Sequence, residues 1–161
     1  MPAIEVLSES LEQTAEVARA LAQALEPGDI VLLEGELGAG KTTLIREIVA
    51  ALGVDPATVS SPTFVLANEY DAAGGLRVVH IDAYRLAGDD DEELALLGWD
   101  RLATGDTIVL IEWADRIAGL IDRPCLRINL EHSSETARHI RLKLPDSQDR
   151  WADFLRLIPK H

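Results

Sequence analysis

The fold is decided by the stretch Gly35-Glu36-Leu37-Gly38-Ala39-Gly40-Lys41-Thr42, which matches the phosphate-binding loop pattern G-x-x-x-x-G-K-[ST] at every fixed position. Its glycines allow the backbone to wrap tightly, so that successive N–H groups point inward at phosphate oxygens. In such loops the lysine, here Lys41, reaches the β- and γ-phosphates, and the next hydroxyl, here Thr42, binds Mg²⁺. The stretch therefore predicts a nucleotide-phosphate site rather than a glycine-rich turn followed by an exposed lysine.

The two flanks of this loop have the patterns of a strand and a helix. The apolar run Ile30-Val31-Leu32-Leu33 precedes the loop and predicts a buried strand. Apolar residues at helical spacing follow it, and Gly53 is placed to end that helix. A helix that begins at the loop directs its N-terminus at the bound anion. We therefore predict an α/β fold, a P-loop NTPase domain with a mostly parallel central sheet flanked by helices.

The rest of the chain adds strands and helices to this unit. Ser10 and Gln13 form a capping box that opens a first helix, whose predicted apolar stripe is Leu11, Ala15, Ala18, Leu21, Ala22 and Leu25. A glycine turn at Gly74-Gly75 joins two strand patterns into an antiparallel hairpin beside the main sheet. Strands are predicted over 3–7, 64–70, 76–81, 107–111, 126–130 and 139–144, and a closing helix around Trp151 and Phe154.

Composition narrows the class of protein. The 161 residues contain 47% hydrophobic residues and no repeat or linker, which predicts one domain over residues 1–161. The N-terminus lacks the basic start and apolar stretch of a signal peptide, and no apolar run is long enough for a membrane span. With a single cysteine besides, the expected location is cytoplasmic. The net charge of −13 argues against extensive direct contact with nucleic acid and favours a partner that supplies positive charge.

Hydrolysis at a phosphate loop also requires a carboxylate near the metal. Asp82 and Glu112 each end a predicted strand, and the carboxyl ends of parallel strands lie beside the loop. The strand before Glu112 is the more uniformly apolar and hence the more central, so the pattern slightly favours Glu112 for the metal. Asp82 is then a coordinating or water-orienting group, although either residue is equally explained as a turn residue.

Three further residues have two readings each. Thr63 follows a proline in an irregular segment, where a switch loop contacts the γ-phosphate, or where a hydroxyl bonds the local backbone. His80 is two residues before Asp82 and on the same side of an extended strand, so it bonds near the site or packs as a strand histidine. Trp113 directly follows Glu112 and is either a core aromatic or a residue that gates the nucleotide site.

Taken together, these motifs resemble the bacterial TsaE family. The resemblance runs from the first helix through Trp113, about two-thirds of the chain, and little can be matched after about Ile117. The motifs are the phosphate loop extended by Thr43, then Ser61-Pro62-Thr63-Phe64, His80-Ile81-Asp82-Ala83-Tyr84-Arg85, Glu93-Leu94 with Gly98, and Ile111-Glu112-Trp113. The phosphate loop alone is shared by many nucleotide enzymes, whereas the set in this order is specific.

The resemblance implies an activity and a set of roles. The family is a cytoplasmic ATPase that uses Mg²⁺ and works with TsaB and TsaD, which transfer a threonylcarbamoyl group to the adenosine beside the anticodon of tRNAs reading codons that begin with adenine. Thr42 and Glu112 would be metal ligands, and Lys41, Asp82 and Thr63 would serve hydrolysis. Residues implied to lie at the nucleotide are Thr14, Gly38, Ala39, Gly40, Lys41, Thr42, Thr43 and Trp113.

Two other functions remain open at this stage. A small-molecule kinase uses the same loop, although the segment 87–107 contains only Arg101 where such kinases have an arginine-bearing lid. A nucleotide-gated binding module would order the segments around Thr63 and Trp113 on ATP binding and dock a partner with little hydrolysis. A GTPase is disfavoured because the chain has no Asn-Lys-x-Asp segment to read guanine.

Overall fold

The computed structural model describes residues 3–35, 40–55, 67–82, 98–112, 121, 123–146 and 148–158. Within these ranges no helix is long and apolar enough to cross a membrane. The strands are β1 Ala3–Ser8, β2 Ile30–Gly35, β3 Ala67–Asp71, β4 Arg77–Asp82, β5 Thr107–Glu112, β6 Leu126–His132 and β7 Arg138–Lys143. The α-helices are α1 Leu11–Ala24, α2 Lys41–Ala51, α3 Trp99–Leu102 and α4 Asp149–Leu157.

All of these strands belong to one seven-stranded sheet in the order β1-β7-β6-β2-β5-β4-β3. The four central strands β6, β2, β5 and β4 are parallel. The outer strands are antiparallel: β3 pairs with β4 as the predicted hairpin, and β7 pairs with both β6 and β1. The predicted α/β fold, a sheet that is mostly parallel in its core and flanked by helices, is confirmed.

Both faces of the sheet are covered around β2, which explains its unbroken apolar sequence. Side chains alternate along a strand, so Val31 and Leu33 pack with α1, α2 and α4, whereas Ile30 and Leu32 pack on the other face with α3. Each such fully buried side chain contributes about 2 kcal/mol. The phosphate-loop motif therefore follows a strand that is fixed from both sides.

Helix α1 begins where the capping pattern predicts. The backbone N–H of Gln13 donates to Ser10 Oγ at 3.1 Å, and the Gln13 side chain accepts from the Glu9 N–H at 2.7 Å. The predicted apolar stripe is wrong at Leu11, which is 74% exposed. As the first helical residue, Leu11 precedes the face that packs on the sheet, and that face is wider than predicted because it also includes Val17, Ala20 and Ala24.

Two glycines shape the chain on either side of the phosphate loop. A Cβ built on Gly35 would lie 2.4 Å from the carbonyl oxygen of Leu130, so only glycine fits the close approach of β2 to β6. Gly40 has φ 100°, a left-handed conformation that favours glycine, and α2 begins at the next residue. These constraints bring α2 back over the end of β2 in the strand–loop–helix arrangement that the sequence predicts.

Candidate active site

The candidate site lies where the parallel strands β2, β4 and β5 end. Gly35, Asp82 and Glu112 are the last residues of these strands. The Cα atoms of Asp82 and Glu112 are direct partners in the parallel register. This edge is where open α/β sheets place their ligands, and it brings both predicted carboxylates to one place beside the phosphate loop.

The first turn of α2 supplies the anion-binding end of the site. Its N-cap, Gly40, has no side chain that could accept a hydrogen bond from the N–H groups of that turn. Helix N-termini of this kind bind phosphate through those N–H groups and the helix dipole. Lys41 is 5% exposed, and its Nζ donates to the carbonyl of Gly35 at 2.6 Å. This hydrogen bond therefore connects the first residue of α2 to the last residue of β2, at the two ends of the loop.

A hydroxyl–carboxylate pair joins α2 to β5. Thr42 Oγ1 donates to Glu112 Oε1 at 2.8 Å, although the two residues are 70 positions apart. Oxygen atoms of this kind are the ligands that Mg²⁺ prefers, and Mg²⁺ at a nucleotide site uses one or two protein ligands completed by phosphate and water. The described residues contain no cluster of three His, Cys, Asp or Glu side chains placed for a metal. The pair fits a magnesium ion that binds together with a nucleotide.

His80 holds the other oxygen of the same carboxylate. Its Nε2 lies 2.7 Å from Glu112 Oε2, and its side chain is fully buried. The sequence allows two interpretations of His80, a hydrogen bond near the site or packing within the strand. The structure shows the hydrogen bond, which is made with Glu112. The available signal was alternation, since His80 and Asp82 share a face of β4 that the register aligns with Leu110 and Glu112 on β5.

Glu112 is held in its ionised form. Burial raises the pKa of its carboxyl, but the hydrogen bond and charge of His80, the hydrogen bond from Thr42 and the charge of Lys41 lower it further than burial raises it. The pKa of Glu112 therefore lies below its ordinary value. An ionised carboxylate that is only 4% exposed is suited to a cation that arrives with the substrate.

The remaining predicted residues are distributed around this centre. Thr43 is partly buried in the first turn of α2, and Asp82 is partly buried beside Glu112. Thr14 is 5% exposed, and its hydroxyl lies 2.6 Å from Ser8 Oγ and donates to the Ser10 carbonyl. The predicted positions Gly38, Ala39, Thr63 and Trp113 lie outside the described residues. The nucleotide, metal and catalytic roles of all these residues stay predictions.

Comparison with known proteins points to one family. A model of the family described as "Threonylcarbamoyl adenosine biosynthesis protein TsaE" matches residues 8–140. That match extends past Ile117, where the sequence motifs alone offered little to compare.

Individual relatives agree with the family match. The chain is 38% identical to the tRNA threonylcarbamoyladenosine biosynthesis protein TsaE of Rickettsia felis, covering 92% of this chain and 84% of that protein. The protein of the same name from Streptomyces coelicolor is 39% identical over 85% of this chain and 93% of its own length. The crystal structure of YdiB from Bacillus subtilis has a TM-score of 0.72 at 26% identity, covering 96% of this chain and 93% of that one.

Proposed function

The chain belongs to the TsaE family of tRNA threonylcarbamoyladenosine biosynthesis, and from that premise we propose that it is the family's magnesium-dependent ATPase, acting with TsaB and TsaD. The observation that carries the proposal is the contact between Thr42 and Glu112, with Lys41 closing the loop beside it. These are the hydroxyl, carboxylate and ammonium groups that phosphoryl transfer to water requires at a phosphate loop.

Each residue then has one task. The N–H groups at the start of α2 and the ammonium of Lys41 bind the phosphates and stabilise the negative charge that develops on the transferring phosphoryl group. Thr42 and Glu112 would hold Mg²⁺, which would supply positive charge to neutralise the phosphates. Asp82, whose Cα is the partner of the Glu112 Cα, orients the attacking water with Thr63.

The proposed protein partners are inferred from the family's pathway and from the net charge of this chain. The family acts in tRNA modification, yet this chain carries a net charge of −13. A tRNA backbone would be repelled over much of such a surface. We therefore place tRNA on TsaB and TsaD, and propose that this chain meets those proteins rather than forming an extensive contact with the nucleic acid.

Two measurements test this function. Deletion of the gene in its own host removes threonylcarbamoyladenosine from bulk tRNA, and the wild-type gene restores it, whereas the Glu112→Gln variant does not. In vitro, the purified chain with TsaB and TsaD releases inorganic phosphate from ATP and prefers ATP to GTP. Unchanged tRNA modification in the deletion strain would contradict the pathway, and a phosphorylated metabolite in place of free phosphate would indicate a kinase.

The same variants separate hydrolysis from nucleotide-gated docking. The proposal expects Asp82→Asn and Glu112→Gln proteins to lose phosphate release and tRNA modification together. If both variants still support modification at the wild-type rate while their phosphate release is lost, the chain is a binding module and hydrolysis is dispensable.

A further inference from the structure

A pocket of about 310 Å³ lies on the face of the sheet opposite α1 and α2. Ile128 on β6 and Leu142 on β7 pack in the core cluster that contains the α1 and α2 side chains. Because side chains alternate along a strand, their neighbours Arg127 and Lys143 point to the other face, where they line the pocket. The candidate active site is built at the start of α2, so the sheet separates it from this pocket.

The charged part of the lining is positive. Among the described residues it contains Arg123, Arg127 and Lys143 and no acidic side chain. Arg127 and Lys143 are direct register partners on antiparallel strands, and like charges in that position destabilise a sheet. Glu34 offsets part of this charge, with its Oε1 at 3.4 Å from Arg127 Nη1. The pocket therefore concentrates positive charge in a chain whose net charge is −13, and an anion bound there would relieve the repulsion.

Two of these positive charges act on the same side chain of the pocket, Cys125. Burial raises the pKa of the Cys125 thiol, and the charges of Arg127 and Arg123 oppose that rise without cancelling it. The thiol therefore stays protonated at neutral pH and is no nucleophile. Arg123 is fixed by its Nη2, which donates to the Ala103 carbonyl at 3.0 Å. The charged function of the pocket thus belongs to its cations.

The same pocket has an apolar lining beside its cations. The apolar residues are the fully buried Leu32, together with Ile121, Pro124 and Pro145. The fixed φ of the two prolines holds their part of the lining in place before a ligand arrives, which lowers the entropy cost of binding. Apolar walls surrounded by charged groups are typical of a protein interface, where a buried anchor side chain is enclosed by a polar rim.

The proposed function offers two sources of negative charge, the phosphates of tRNA and the carboxylates of a protein partner. The described lining has no aromatic side chain on which an RNA base could stack, and the acidic remainder of the chain repels a long polyanion. A short acidic segment carries few charges and can place one apolar side chain between them. Resting on the proposed function, we propose that this pocket docks an acidic segment of the TsaB–TsaD pair through an apolar side chain flanked by carboxylates.

Binding of the chain to immobilised TsaB and TsaD, measured by biolayer interferometry with ATP and Mg²⁺ present, tests the assignment. Lys143→Glu is expected to raise Kd by about 10-fold or more, mainly by slowing association, and the loss should shrink at high salt. Arg127→Ala should act in the same direction. By itself, the Lys143→Glu protein should bind ATP like the wild type. It should unfold at an equal or higher denaturant concentration, because an opposite-charge pair with Arg127 replaces a like-charge pair.

Arg156→Glu is the matched control, since it reverses one exposed charge on α4 and leaves the pocket unchanged. Wild-type affinity for TsaB and TsaD in both Lys143→Glu and Arg127→Ala, or an equal loss in Arg156→Glu, would overturn the inference. Binding of tRNA to the chain alone that Lys143→Glu abolishes would also overturn it, because the occupant would then be RNA. If the wild type does not bind TsaB and TsaD, the proposed partnership itself fails.

Discussion

Two polar clusters in this molecule surround their carboxylates with different kinds of partner. In the site cluster, formed by Thr42, His80 and Glu112, the carboxylate accepts hydrogen bonds from a hydroxyl and a histidine ring. In the C-terminal clamp, formed by Asp29, Asp146, Arg150 and Trp151, two carboxylates meet one guanidinium group, each at 3.1 Å from Nη2.

The difference between them lies in where the balancing charge comes from. The clamp contains its own cation: Arg150 is 12% exposed, donates also to the Ala24 carbonyl, and stacks 4.7 Å from the Trp151 ring. In the site cluster Glu112 contacts the buried ring of His80 and lies near the charge of Lys41, and His80 Nδ1 is buried with no hydrogen-bond partner among the described residues. Such an arrangement suits a cation brought by the substrate. We therefore expect changes in the first cluster to alter activity and changes in the second to alter stability.

The largest expected effect at the candidate site is that of Lys41→Ala. Removing the ammonium group should lower phosphate release by about 100-fold or more, as when a preorganised charge-stabilising donor is deleted. Arg156→Ala, which removes an exposed cation of α4, is the control and should leave the rate unchanged. ATP hydrolysis at the wild-type rate by a Lys41→Ala preparation free of other ATPases would contradict the assignment of activity to the first cluster and stability to the second.

A smaller effect is expected when His80 is exchanged for an amide. Asparagine places its nitrogen near the position of Nδ1, whereas glutamine reaches that of Nε2 and can still donate to Glu112. His80→Asn should therefore raise the magnesium concentration needed for half-maximal phosphate release by about 10- to 100-fold, as is typical when a partner of a metal ligand is lost. His80→Gln should remain near wild type, and equal magnesium requirements in wild type and both variants would show that His80 only packs.

The clamp provides the reciprocal test. Arg150→Ala leaves two partly buried carboxylates without their cation and should lower the free energy of unfolding by about 2 kcal/mol, as for the loss of hydrogen bonds between charged groups. Arg156→Ala, which removes an exposed pair with Asp153 on the same helix, should cost less than about 0.5 kcal/mol. Denaturant titration measures both, and phosphate release by Arg150→Ala at a temperature where it is folded should match wild type. A selective loss of turnover would contradict the division of roles.

The smallest effect is the pH dependence of the clamp. Burial raises the pKa of Asp146, but hydrogen bonds from the Gln148 N–H, Arg150 and Trp151 together lower it below its ordinary value. A lowered pKa in the folded state means that the stabilisation is present above the ordinary value, about 3.9, and is lost as the pH falls through the folded value. The difference in unfolding free energy between wild type and Asp146→Asn should narrow from pH 6 to pH 3. A difference that is constant over this range would contradict the assignment.

The sequence predicts the local parts of this architecture well. The β2–loop–α2 unit follows from an apolar run, a loop motif and helical spacing that are adjacent in the chain. The apolar strand before Glu112 indicates a central strand covered on both faces and favours Glu112 over Asp82 for the metal. Glu112 does contact the Thr42 hydroxyl, and its role in metal binding stays a prediction.

The parts that the sequence does not predict depend on pairs far apart in the chain. The contact of His80 with Glu112 requires the register of β4 on β5. The contact of Asp29 with Arg150 forms only after the sheet and α4 have assembled. Helical spacing places Leu11 in the apolar stripe, because the spacing of apolar residues indicates the face of a helix but not which of its turns reach the sheet.

We propose that the Glu112 carboxylate binds a magnesium ion that arrives with ATP. The most direct test is calorimetric titration of wild type and Glu112→Gln with ATP, each with and without Mg²⁺. The account predicts that Mg²⁺ tightens ATP binding to the wild type, and that Glu112→Gln removes this gain while its metal-free affinity is unchanged or improved. An equal gain from Mg²⁺ in both proteins would contradict it.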